Sequence, residues 1–107
     1  VNSWLALVFA GCFEIGFTSC MKLSDNFSSL PYTIGFSISC ILSLYFLNKS
    51  LADIPLGTAY AIWTGIGAFG TAIIGMIFFK DPVTMSRSIF LMILIGSILG
   101  LKWSAAG

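Results

Sequence analysis

Residues 55–79 read PLGTAYAIWTGIGAFGTAIIGMIFF, a run bounded by Asp53 and Lys80 that contains no charged side chain. A helix needs about 20 apolar residues to cross the hydrocarbon core of a bilayer, so this stretch reads as a membrane span. The rest of the chain agrees with it. Its 107 residues are 58% hydrophobic and 8% charged, where soluble domains carry about 25% charged residues, and the mean hydropathy is +1.02. The net charge is +1 with no histidine. That composition excludes the basic footprint of nucleic-acid binding and histidine-based catalysis or zinc binding.

Working outward, the charges Lys22, Asp25, Lys49, Asp53, Lys80, Asp81, Arg87 and Lys102 delimit three further apolar segments. The expected fold is an all-α integral membrane domain filling residues 1–107, with helices at about 4–21, 30–47, 55–79 and 85–103. Four spans use about 80 residues and leave about 27 for ends and connections. Pro31 and Pro55 fall where a first helical turn tolerates a missing N–H, and Pro82 lies in the third connection. Arg87 and Lys102 can snorkel and lengthen the fourth span. The first segment lacks the basic start of a signal peptide and contains a carboxylate, so it is expected to be a mature helix. Cys12, Cys20 and Cys40 fall inside spans and read as small packing residues.

Lys22, Lys80 and Arg87 flank the first and third connections, Lys49 and Lys102 the second connection and the C-terminus. The count gives no strong orientation. Either five charges are too few to show a bias, or the chain inserts both ways up. Four thin helices cannot enclose a solute pathway alone, so a transporter of this size is expected to be an oligomer. Gly96 and Gly100 form a GxxxG on the fourth helix, readable as dimer packing or as ordinary contact within a protomer. On the third helix Gly57, Ala61 and Gly65 form one small-residue row and Gly67, Thr71 and Gly75 another. Gly65 and Gly67, close together in mid-span, mark either a hinge or close helix packing.

Only Glu14 among the charged residues lies deep within a span. An ionisable group there costs at least about 2.5–3.5 kcal/mol on insertion scales, which makes a pathway or proton-relay role the default reading and a structural carboxyl the alternative. Ala10, Gly11 and Thr18 share its face and turn it toward the bundle. No Lys or Arg lies deep within a span to neutralise it, Arg87 and Lys102 being at the ends of the fourth, so the missing counter-charge is read as the substrate, a cation. Desolvation penalises the ionised form of a buried carboxyl while a neighbouring cation favours it. A group in that position can hold a proton and a cation by turns, which suits an exchanger. Tyr60 and Trp63 share a face of the third helix, and with Ser43 on the second they offer hydrogen-bond donors to a carboxylate. For Tyr60 and Trp63, interfacial or lipid-facing packing is the alternative.

The single Glu in Ala10-Gly-Cys-Phe-Glu14, four spans in just over a hundred residues, and Ile54-Pro-Leu-Gly-Thr-Ala-Tyr-Ala-Ile-Trp-Thr-Gly-Ile-Gly67 resemble the small multidrug resistance family over essentially the whole chain. The resemblance implies an antiparallel dimer of oppositely inserted copies in a bacterial inner membrane, exchanging protons inward for a cation outward at a site shared by both copies of Glu14. It also implies that Ser43, Tyr60 and Trp63 form the hydrogen-bond network of that carboxylate. Some members of the family work as heterodimeric pairs, so the partner is self or a paralogous subunit. Gly65-Ile-Gly-Ala-Phe-Gly70 and Gly100-Leu-Lys102 are similar to the subtype that exports guanidinium, whose paired N–H donors suit a carboxylate.

One position departs from that subtype, which usually carries Trp where this chain has Phe17. Phe cannot donate a hydrogen bond, so a lining of Gly11, Phe17 and Thr18 leaves room for substituted guanidinium compounds. The alternatives are a broad-specificity exporter of quaternary ammonium and hydrophobic drug cations, or one subunit of a heterodimer. A non-transporting assembly subunit and a passive cation channel are the contrasting classes. No nucleophile and base pair or metal-ligand cluster appears, so neither an enzyme nor a cofactor is expected.

Overall fold

The computed structural model describes residues 2–106, and positions 1 and 107 of the expected domain lie outside the described residues. Four helices follow one another: α1 (Ser3–Leu23), α2 (Leu30–Ser50), α3 (Leu56–Phe78) and α4 (Met85–Ala106). Each is long and apolar enough to cross a membrane. Twenty-one residues, the length of α1, rise about 32 Å at 1.5 Å per residue, against a hydrocarbon core of about 30 Å. The protein is therefore a multi-pass membrane protein.

Local chemistry sets the helix ends. Asn2 caps α1, its side chain accepting from the Leu5 N–H at 2.8 Å. At the other end the buried Ser24 donates its hydroxyl to Met21 O and accepts from the Phe27 N–H. Asp25, Asn26 and Phe27 all take positive φ in the turn that follows. Pro31 sits in the first turn of α2. Pro55 lies one step earlier than expected, at the N-cap of α3 with ψ 146°, where a missing N–H is equally harmless. The N–H groups of Phe79 and Asp81 both reach Gly75 O and stop α3. At α4 the Thr84 hydroxyl accepts from the Arg87 N–H, and the helix continues past Trp103 to Ala106.

The helix α1 lies between α2 and α3, while α4 packs mainly beside α3 and reaches α1 where Lys102 lies over the Trp4 ring. An aromatic seam joins α1 to α2. Phe13 stacks on Phe46 at 5.7 Å and Phe9 meets the same ring edge-on. Small residues join α1 to α3 and α3 to α4. A side chain at Gly11 would strike Ile66, one at Gly70 would strike Ile15, and one at Gly65 would strike Ile98. The continuous α3 helix passes through both Gly65 and Gly67.

A small core of Leu7, Ile54, Ala59, Ile62 and Ile98 lies at the end of the bundle that holds the α2–α3 connection. Around it most large apolar side chains point outward, Ile41 at 68% and Phe90 at 67% exposure among them. That is the surface of a chain solvated by lipid or by another subunit. Gly96 and Gly100 are exposed with nothing beside them, so among the described residues their row makes no contact within the protomer.

Candidate functional site

Glu14 sits in the middle of α1, on the face that the small residues Ala10 and Gly11 bury. Its carboxyl group lies directly against Gly67 of α3, in the space that a Cβ there would fill. Glycine at 67 is thus what allows the two helices to close around the acid. The Oε1 atom of Glu14 is buried and has no hydrogen-bond partner among the described residues. In a low-dielectric interior an unmet acceptor costs about 1–3 kcal/mol, more when charged. A proton, or a cation bearing N–H donors, removes that cost.

Ser43 and Trp63 meet one turn away, with Tyr60 beside Trp63. The Trp63 indole donates to Ser43 Oγ at 2.9 Å, and the buried Ser43 hydroxyl donates in turn to Ala10 O at 2.7 Å. One chain of hydrogen bonds therefore ties α3 to α2 and α2 to the segment of α1 that precedes Glu14. The Ser43 proton is committed to a backbone carbonyl, so it holds the α1 backbone in place and is not offered to the carboxylate. Tyr60 packs on Trp63 with ring centroids 5.6 Å apart and is 55% exposed. Its phenol is open to whatever faces this side of α3.

The three lining candidates have separate environments. Gly11 abuts Ile66. Phe17 leans edge-on against Phe36 of α2 at 5.9 Å, extending the aromatic seam. Thr18 meets Thr71, with hydroxyl oxygens 2.8 Å apart, and lies 3.0 Å from both Glu14 O and Ile15 O. Sequence reasoning placed Gly67 and Thr71 on one row of α3 but did not pair them with Glu14 and Thr18. Their matching four-residue spacing on two helices was the available signal.

The profile of the family described as Small Multidrug Resistance protein matches residues 2–95. Curated relatives named guanidinium exporter resemble the chain over nearly its full length. Those of Yersinia pseudotuberculosis serotype I (strain IP32953) and Proteus vulgaris are 37% and 40% identical over 94% of this chain and 96% of their own. That of Salmonella typhimurium (strain LT2) is 37% identical over 96% of this chain and 98% of its own. An intramembrane acid seated on a glycine, in four short-looped spans that align end to end with these exporters, belongs to a member of the small multidrug resistance family.

Proposed function

We propose that the chain, a single four-helix domain in a bacterial inner membrane, exports guanidinium or substituted guanidinium compounds in exchange for protons. The observation that carries this reading is the buried, unpartnered carboxyl oxygen of Glu14 beside Gly67. A guanidinium ion is planar and presents parallel N–H donors that fit a carboxylate bidentately. Its arrival supplies both the missing donors and the missing charge. A proton supplies them equally, so the two ligands exclude each other, and exclusion alone couples their fluxes once the site opens to each side in turn. The relatives' names as guanidinium exporters support the same substrate class and a transporter rather than an enzyme.

The working unit is an antiparallel dimer, two copies of the chain or the chain with a paralogous subunit. The exposed Gly96–Gly100 row and the open face of Tyr60 support this assembly. So does the near balance of basic residues between the two ends of the bundle. In the dimer Ser43 and Trp63 hold the backbone around Glu14 while Tyr60 faces the shared site.

The test is transport current from purified protein in liposomes, first with guanidinium and then with a tetraalkylammonium ion, using Glu14→Gln as the blank. Guanidinium currents that vanish in the variant support the proposal. Currents only with the bulky cation move the protein to broad-specificity drug export and point to Phe17, and silence with both contradicts function as a homodimer.

A further inference from the structure

Glu14, Thr18 and Lys22 follow one another at four-residue spacing along α1, and Gly67, Thr71 and Gly75 do the same along α3. At such spacing each set lies on one helix face. The two rows meet at Glu14 with Gly67 and again at the 2.8 Å contact between Thr18 and Thr71. On the loop side of the threonine pair lies a cavity of about 200 Å³, lined by Thr18, Ser19, Lys22, Thr71, Gly75 and Asp81 among others. A water molecule occupies about 30 Å³ of liquid volume, so this space admits several waters or one small planar cation. At the opposite end the Leu7 core packs and the Ser3 hydroxyl donates to Asp53 at 2.6 Å, beside an apolar groove of about 400 Å³ lined by Trp4, Leu5, Val8, Ile66 and Leu99 among others.

We propose that the Thr18–Thr71 hydroxyl pair is a latch that separates Glu14 from this cavity, and that the cavity is the aqueous vestibule through which cation and proton reach the acid. The latch governs access to the exchange site and therefore rests on the role given to Glu14 above. Two features suit it to opening and closing. The Thr18 hydroxyl has carbonyl acceptors on its own helix, Glu14 O and Ile15 O, each 3.0 Å away, so parting from Thr71 does not leave it unpaired. Lys22 and Asp81 at the mouth carry opposite charges, so the vestibule presents no net barrier to a cation.

The experiment follows modification of Glu14 by a water-soluble carbodiimide with an added amine, read by mass spectrometry on the purified full-length protein. The exposed Asp25 and Asp53 serve as internal references. Thr18→Val and Thr71→Val remove a hydroxyl at nearly constant volume and are expected to speed Glu14 modification at least about fivefold with the references unchanged. Thr71→Ser keeps the hydroxyl and is expected to match the parent. Valine variants at the parental rate, or a serine variant as fast as valine, overturn the latch. Filling the cavity with Ser19→Trp is expected to slow Glu14 modification. An unchanged rate there overturns the vestibule, and this arm decides alone if the valine variants lose their cooperative thermal transition. Added guanidinium is expected to protect Glu14 in the parent. Absence of protection counts against the exchange role of Glu14, whereas the ratio of rates among the threonine variants still decides the latch.

Discussion

At the scale of single residues, the proposed function turns on one carboxyl and the space left for it. Gly67→Ala places a methyl group where the Glu14 carboxyl lies. Overpacking of this kind costs about 1–3 kcal/mol, and here it falls on the atoms proposed to bind the cation. Guanidinium affinity measured by titration calorimetry is expected to fall at least tenfold, while an alanine at Gly57, which has open space around it, leaves affinity unchanged. Ser43→Ala deletes the hydroxyl that joins Trp63 to Ala10 O. The Trp63 indole N–H loses its acceptor while Ala10 O keeps its helical partner, and thermal unfolding in detergent is expected to show a loss of about 1–3 kcal/mol. Glu14 itself was legible in the sequence, because an acid among so few charges in an apolar run needs no neighbours to be noticed. The seat that Gly67 provides was not, since it depends on how α1 and α3 are set against each other. The commitment of the Ser43 proton to a backbone carbonyl was hidden for the same reason.

At the scale of helices, the four spans could be read because charged residues cluster at their ends and almost nowhere else. Their limits moved by a few residues. Local caps decided those limits, with Asn2 starting α1 at Ser3 and the carbonyl of Gly75 stopping α3 at Phe78. The two rows of small residues on α3 have different surroundings, which periodicity alone could not separate. Gly65 lets α4 approach through Ile98, whereas Gly67 admits Glu14 from α1. Gly65→Leu is therefore expected to displace α4 and lower thermal stability. A substitution at Gly67 is expected to strike binding first. Measuring both properties on both variants separates packing from site, and equal effects on each would contradict the assignment.

At the scale of the whole molecule, the protomer is thin and leaves much of its apolar surface outward. Among the described residues, a side chain at Gly96 or Gly100 would meet nothing within it. Gly96→Leu and Gly100→Leu are expected to leave helix content intact while shifting sedimentation in detergent from dimer toward monomer, with transport lost in parallel. An unchanged dimer in both variants would move the interface to another face. Exchange by mutual exclusion also predicts a pH dependence with a definite sign. Cation binding requires the ionised carboxyl, so acidification weakens it, by about tenfold per pH unit for each proton displaced. Binding that is flat with pH would separate the cation site from the proton site.

The most direct measurement is the number of protons released when guanidinium binds the purified protein in weakly buffered detergent solution, followed with a pH indicator. Competition at Glu14 predicts release on saturation that grows as the starting pH falls while binding still saturates, and no release from Glu14→Gln. Saturable guanidinium binding without proton release, or equal release from the Gln variant, would contradict a single acid serving both ligands.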